Sequence, residues 1–331
     1  MTLWRTYYLA KSVTEAVQLL GELPGSGRIV AGGTDLLLDL QQKRHPPVDW
    51  LPHWRHASGM AHSQPEADWL PHWRHASGMA HSQPEADWLV DVTAIPELNR
   101  LEACDNGLFV GAAVPLNRIV ESALVKRHAY ALYQACSLIG GPQVRNVATL
   151  GGNVGHALPA GDGTIALLAL DAKAEIAANN GRQLVPLAEL FLGPGRSALQ
   201  PGQLLVGFHL PLCNPTEGSA FQRVMRPQGV AIAILNMAAW VHCDRDVLLD
   251  LRLSIGPAGP VPLRPRKVEA FLRGKPYSPE ALEQASRMLL AEVHFRTSPH
   301  RASAAYRRWL GGVLLIQTLQ EAILRARANV R

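Results

Sequence analysis

The sequence predicts an α+β protein of more than one unit, and three observations carry that expectation. Short apolar runs bounded by glycine, proline and aspartate alternate with helical patterns through residues 1–212. Beyond residue 220, three apolar strands follow one another with only turns between them. Residues 279–291 and 302–326 then carry helical periodicity with few breakers. Segregated sheet and covering helices are the pattern of an α+β domain. At 331 residues and 47% hydrophobic content, the chain can build a sizeable core in each of two or three units.

Taken in order, Ser12-Val13-Thr14-Glu15 reads as a capping box into an amphipathic helix ending near Leu20. Residues 28–30 form a short buried strand. A turn follows, then a helix to about Lys43 with Thr34 or Asp35 as N-cap. Strands are expected over 89–92 and 107–112, and Pro115-Leu116 starts a helix. A longer helix is expected over 128–139. Residues 185–190 read as a strand with a short helix, and 204–210 as a strand. Residues 221–225 and 231–241 suggest an antiparallel hairpin, to which 249–255 adds a third strand. Asn214-Pro215-Thr216-Glu217-Gly218 is the candidate linker.

Residues 49–67 recur without change as residues 68–86, and Asp-Trp-Leu then begins a third time. Structural repeats diverge at exposed sites, so identity at all nineteen positions points to a recent duplication of coding DNA. Removing residues 51–88 would rejoin Val48-Asp49-Trp50 to Leu89-Val90-Asp91. The segment holds the pairs His53/His56 and His72/His75. Without a supporting Cys or carboxylate arrangement they read as part of a surface insertion rather than a metal site.

Two glycine pairs stand out. The first lies in Val30-Ala31-Gly32-Gly33-Thr34-Asp35-Leu36-Leu37, between a strand and a helix. Backbone without Cβ atoms turns sharply and approaches a ligand closely, and N–H groups beside a helix start suit phosphate oxygens. Alone, this is equally a tight connection with no ligand. Gly25 and Gly27 precede the strand, so they are not the dinucleotide fingerprint, which follows one. The second pair lies in Thr149-Leu150-Gly151-Gly152-Asn153, with Asp162 close behind and an apolar run over 164–174 that makes a buried helix or strand. Two bare turns flanked by Thr and Asn can grip the two ends of an extended diphosphate, and an acid such as Asp162 suits ribose hydroxyls. Together they favour a ligand. His156, between the pair and Asp162, reads as a hydrogen-bonded structural histidine before a cofactor contact.

The net charge of +5 rests on arginine, since only six lysines are present. No dense basic run with interleaved aromatics occurs, so nucleic acid is not an expected partner. A mildly basic surface suits acidic subunits or phosphate-bearing cofactors. Cys104, Cys136, Cys213 and Cys243 form no CxxC pair, which argues against a zinc ribbon or an iron–sulfur cluster in this chain. Neither a signal segment nor a window long enough for a membrane span is present, and the expected localisation is cytoplasmic.

AGGTDLL, RNVATLGGN and PAGD together resemble the flavin-binding (medium) subunit of the xanthine dehydrogenase family, the molybdenum hydroxylases that include carbon monoxide and aldehyde dehydrogenases. Arg301-Ala302-Ser303-Ala304-Ala305-Tyr306-Arg307-Arg308 resembles the family's RASAxYR segment. The resemblance spans the chain outside the duplicated insert. It implies an FAD-binding domain of the vanillyl-alcohol-oxidase (PCMH) type over residues 1–212. Its first subdomain is 1–48 and its second 89–212, with the insert over 49–88. A C-terminal α+β domain of the carbon monoxide dehydrogenase flavoprotein type, an antiparallel sheet with helices, follows over 218–331.

By the same resemblance, residues 30–37 and 149–153 would hold the FAD pyrophosphate and Asp162 the adenosine ribose. Leu205 would pack near the isoalloxazine or its linker. Some relatives carry a lysine near the flavin's pyrimidine edge; here Phe221 is followed by Gln222, which brings a hydrogen bond without charge. No cysteine-bearing cluster loop follows Gly155-His156, which disfavours the benzoyl-CoA-reductase branch.

The function implied is electron transfer by an oxidoreductase subunit that supplies no catalytic or metal-binding residue of its own. [2Fe–2S] clusters in a small partner subunit would feed FAD, themselves fed by a molybdenum cofactor in a large subunit, in a heterotrimer or a dimer of heterotrimers. A self-contained flavoprotein oxidase and a non-catalytic nucleotide-binding module are the competing classes. The oxidase would need a base or a covalent flavin attachment, which the motif positions do not supply convincingly.

Overall fold

A computed structural model describes residues 3–41, 86–105, 107–226, 231–298 and 301–329. The histidine pairs of the duplicated segment lie outside these residues.

The first unit comprises β1 (Trp4–Leu9), α1 (Val13–Glu22), β2 (Gly27–Val30), α2 (Leu36–Gln41) and β3 (Ala86–Asp91). Its three strands form a parallel sheet in the order β1-β3-β2. Ser12 caps α1 by accepting from the Glu15 amide at 3.1 Å, while the Glu15 carboxylate accepts from the Lys11 amide at 2.8 Å. Strand β3 begins at Ala86, ahead of the expected Leu89. The cause is Trp88, whose ring lies flat on Gly27 and whose indole N–H donates to the Pro24 carbonyl at 3.0 Å.

The second unit runs β4 (Leu101–Cys104), β5 (Gly107–Gly111), α3 (Leu116–Glu121), α4 (Ala123–His128), α5 (Tyr130–Leu138), α6 (Pro142–Val147), α7 (Leu150–Gly155), α8 (Asp162–Ala169), β6 (Lys173–Ala178), β7 (Gly181–Pro186), β8 (Phe191–Gly193), β9 (Arg196–Ser197) and β10 (Leu204–Leu210). Five of its strands form an antiparallel sheet in the order β4-β5-β10-β6-β7. The single helix expected over 128–139 is two, because Ala129, with φ −140° and ψ 54°, ends α4 and re-aims α5. The apolar run after Asp162 resolves as helix. All eight residues of α8 are buried.

The third unit holds β11 (Glu217–Val224), β12 (Leu235–Asp244), β13 (Val247–Gly256), α9 (Arg266–Leu272), β14 (Lys275–Pro276), α10 (Pro279–Glu292) and α11 (Ala304–Asn329). Its antiparallel sheet has the order β11-β12-β13-β14. Period-2 alternation gives this sheet two buried faces. Gly218, Ala220 and Gln222 of β11 face α11: a Cβ on Gly218 would fall 2.2 Å from the Ala322 carbonyl oxygen, Ala220 joins the third-unit core, and Gln222 donates to Glu321 at 2.6 Å. Ser219, Phe221 and Arg223 face the second unit instead. Ser219 accepts from the Ala131 amide at 3.1 Å, Phe221 joins that unit's core, and Arg223 pairs with Asp162. On β13, Arg252 donates to the Ala169 carbonyl at 3.2 Å and Ser254 donates to that of Ile165. Helix α8 is thereby clamped against the third-unit sheet. Full burial of Ile165, Leu167 and Leu168 contributes about 1.5–3 kcal/mol each.

Candidate functional site

The two glycine motifs meet. A Cβ on Gly32 would lie 2.0 Å from the Val147 carbonyl oxygen and 2.8 Å from the Ala148 Cα, so the first turn rests directly on the backbone leading into the second. Gly33 has φ +68°, in the left-handed region that disfavours any other residue, and its carbonyl accepts from the Leu37 amide at 3.0 Å to start α2. Val30 is buried at the end of β2, whereas Leu37 is partly exposed. Ala31 and Thr34 lie half-buried between them.

The second pair was expected in a bare turn. It lies instead in the first turn of α7, with Thr149 as N-cap accepting from the Gly152 amide at 3.1 Å. Its two glycines differ in role. Gly151 is a packing residue: its amide donates to the Ala112 carbonyl at 2.8 Å, and a Cβ would fall 2.5 Å from that oxygen. Gly152 is exposed, and a Cβ there would meet only Thr149 Oγ1, at 3.2 Å. Leu150 is buried and fixes the helix to the core. Leu205 is also buried. The carbonyl of its neighbour Val206 accepts from the Ala112 amide at 2.9 Å, which places β10 directly beneath the second turn.

An ion pair ties the two motifs. His156 Nδ1 lies 3.5 Å from the Asp35 carboxylate. The hydrogen bond that His156 donates to Asp35 raises the His156 pKa above 6.5, against partial burial; the same bond lowers the Asp35 pKa. His156 is thus the structural histidine expected, and its partner belongs to the first motif.

Asn153 and Asp162 join the site to the third unit. Asn153 Oδ1 accepts from the Thr164 amide at 3.2 Å, holding the first turn of α8. The Asp162 side chain, 6% exposed, accepts from Arg223 and, at 2.6 Å, from Asn236 Nδ2. Burial pushes its carboxyl upward, while Arg223 and Asn236 act against that shift. The resemblance implied a ribose contact for Asp162; in the structure the carboxylate is turned inward, because the third-unit sheet supplies its charge partner. Gln222 is likewise held by the third unit. Strand alternation turns it toward α11, where its amide donates to Glu321, a residue shared with Gln134 and Arg325.

Arg223 and Asn236 were not read from the sequence. The alternation Ser219, Phe221, Arg223 along one strand face was the signal for the first; Asn236, in a strand buried on both faces, gave none. Among the described residues, no group of three or more His, Cys, Asp or Glu is placed to hold a metal ion. No described helix is long and apolar enough to cross a membrane. What the arrangement offers is a seam where two polar, glycine-bearing turns meet, with Gly152 exposed beside it. Exposed backbone of this kind suits phosphate oxygens.

The fold and the meeting of the two glycine motifs define a two-part α+β binding chain, its amino-terminal units resting on a C-terminal sheet. Residues 75–213 match the family model described as the FAD binding domain in molybdopterin dehydrogenase, and residues 219–322 match that of the CO dehydrogenase flavoprotein C-terminal domain. The chain is 30% identical over 324 residues to the xanthine dehydrogenase FAD-binding subunit of Escherichia coli O157:H7, covering 97% of both chains. It is 26% identical over 316 residues to the carbon monoxide dehydrogenase medium chain of Hydrogenophaga pseudoflava, covering 96% of each. Its fold matches the solved carbon monoxide dehydrogenase from the same organism with a TM-score of 0.81 at 26% identity, over 98% of this chain and 99% of that one. The chain belongs to the FAD-binding (medium) subunits of the xanthine dehydrogenase family of molybdenum hydroxylases.

Proposed function

We propose that this chain is the electron-relay subunit of a molybdenum hydroxylase complex: it holds FAD, receives electrons from [2Fe–2S] clusters of a small partner subunit, and passes them to an external acceptor. A large subunit with a molybdenum cofactor carries the substrate chemistry. The observation that carries the reading is the contact of the two glycine motifs, with Gly32 seated on Val147–Ala148 and Asp35 paired to His156. Bound FAD supplies reversible electron exchange.

The chain's residues bind and orient. Residues 30–37 and 149–153 line the seam for the pyrophosphate, with Gly33 and Gly152 giving close backbone approach. Thr149 fixes the α7 turn, and Leu205 forms the apolar floor under it. Asp162 serves through the PAGD turn that it anchors. Gln222 acts through Glu321 and α11. The cysteines sit apart, in β4, α5, the 211–216 connection and β12, an arrangement that supports clusters held by a partner. The domain division is 1–212 and 218–331, and the complex is a cytoplasmic heterotrimer or a dimer of heterotrimers.

Anaerobic mixing tests this. Dithionite should bleach the flavin band near about 450 nm in the isolated subunit, while purines, aldehydes and N-heteroaromatics should leave it unchanged. Co-expression with the two partners should make one of those substrates bleach it. Rapid bleaching of the isolated subunit by any of them would overturn the relay reading.

A further inference from the structure

We propose that the third unit carries a binding site for a phosphate-class oxyanion, built on Arg301 and Arg307 at the amino end of α11 and separate from the glycine seam. Arg307 is 1% exposed. Among the described residues its guanidinium has one acceptor, the Pro257 carbonyl, and its Nε is buried with no partner. Arg296 and Arg301, both of its own sign, act on it electrostatically, and Arg296 acts on Arg301 in the same sense. Other buried arginines of the molecule are answered by acids: Arg223 by Asp162, and Arg264 by Glu269 and Asp171. Arg307 has no carboxylate partner among the described residues. A guanidinium withdrawn from water without a counter-charge is costly unless an anion completes it.

The helix makes the deficit larger. Arg307 sits in the first turn of the 26-residue α11, which has no acidic residue there, so the positive end of the helix dipole adds to the three arginines. Arg301 also lines a cavity of about 180 Å³ together with Arg226, Ala231, Ile232 and Ile234. Through Arg301 the cluster therefore borders a space with room for a phosphate group and waters. Planar guanidinium forks recognise tetrahedral oxyanions through paired N–H donors. The site is also coupled to the rest of the molecule. Pro257 follows Gly256, which packs so closely on the Pro159 carbonyl that a Cβ would lie 2.1 Å from its oxygen. An occupant would stand behind the turn that leads into α8.

The inference does not rest on the flavin assignment, and its test keeps the two apart. Purified flavin-loaded protein is titrated calorimetrically with inorganic phosphate and with ADP at low ionic strength, and melting is followed across the same concentrations. Wild type should bind one phosphate per chain saturably and melt higher as phosphate rises. Arg301→Gln should weaken binding roughly tenfold or more with unchanged flavin content, and Arg301→Lys should recover part of it. Arg307→Met, which removes the unpaired buried cation, should melt no lower than wild type without phosphate and lose the phosphate response. Tighter binding of ADP than of phosphate would identify a nucleotide as the source, and equal binding a free oxyanion. No saturable binding by wild type to either probe would overturn the proposal. So would loss of FAD in Arg301→Gln, since the oxyanion would then be the cofactor's own phosphate.

Discussion

Substituting alanine at each of three glycines separates ligand approach from packing. At Gly152 the added methyl would meet only Thr149 Oγ1, at 3.2 Å, and the residue is exposed within a helical turn. Alanine there should leave stability unchanged or raise it by up to about 1 kcal/mol, from helix propensity. It should still cost flavin affinity by holding the phosphate away from the backbone. Losing one charge-assisted hydrogen bond costs about 1.5–3 kcal/mol, which is roughly a tenfold to hundredfold rise in Kd. At Gly151 the methyl would lie 2.5 Å from the Ala112 carbonyl oxygen, and at Gly32 it would lie 2.0 Å from that of Val147. Both contacts are with backbone, so the chain must move, at a cost of about 1–3 kcal/mol or more. Each kcal/mol lowers Tm by about 2–4 °C at this domain size. Apoprotein melting and fluorescence titration with FAD read the two quantities independently. Gly152→Ala should show wild-type melting with weak binding, whereas Gly151→Ala and Gly32→Ala should lose both. Wild-type FAD affinity in Gly152→Ala would remove the exposed face of α7 from the phosphate cradle.

Flavin retention should also depend on pH through His156. Its folded pKa is raised, so its contribution is complete below about pH 6.5 and is lost as pH rises through the raised value, while the lowered Asp35 pKa keeps the pair charged in mildly acidic solution. Both side chains are partly exposed, which limits the effect to about 1 kcal/mol; FAD titrations across pH should show this loss in wild type and none in His156→Gln. Deleting residues 51–88 puts Val48-Asp49-Trp50 where Ala86-Asp87-Trp88 now start β3, and Trp50 can take the place of Trp88 over Gly27. The product should be soluble and yellow, with Val48 at the buried Ala86 position costing about 1–3 kcal/mol in denaturation; a colourless product would contradict the replacement. Arg223→Met leaves Asp162 buried without its cation and should cost about 3–5 kcal/mol in urea unfolding. The Asp162 pKa is already raised by burial, so the variant's deficit should shrink as pH falls through the folded value, and a pH-independent deficit would refute the cause given.

Elements whose local chemistry agrees with their tertiary setting were legible in the sequence. The Ser12 capping box, the three strands of the third unit and the two terminal helices are of this kind, whereas the α8 run announced burial without deciding between helix and strand. Elements held by their neighbours were not. Helix α7 contains Gly151, Gly152 and Gly155, a poor helix sequence, and stands because Thr149 caps it and Ala112 and Val114 hold its first amides. The break at Ala129 had a signal that the reading of one helix passed over: Lys126-Arg127-His128 just before it are the basic residues that suit a helix's last turn. Strand β1 is mostly exposed and shows no clear alternation. At the site, the glycine pairs announced a bare backbone but not which glycine faces outward. Asp162 announced a functional acid, but not that an arginine sixty-one residues away holds it.

The two-faced sheet explains why Asp162 and Gln222 find partners within the protein. A sheet with one solvated face leaves every second side chain free to meet a cofactor. Here β11 and β12 send one set of side chains into the α10–α11 core and the other into α5 and α8. Polar residues on such strands must find partners within the protein, because buried donors and acceptors are costly when unmade. Gln222 finds Glu321, Arg223 finds Asp162, and Asn236 finds Asp162 and the Ala160 carbonyl. The last two grip the turn that enters α8, and Asn153 grips α8 from the side of the second glycine motif. Placement of the seam is therefore set jointly by the amino-terminal units and by a sheet more than fifty residues further along the chain. A substitution deep in the third unit that shifts β12 by an ångström would move Asp162, then α8, then Asn153 and the turn at Gly152. In this chain the C-terminal sheet belongs to the foundation of the second glycine motif.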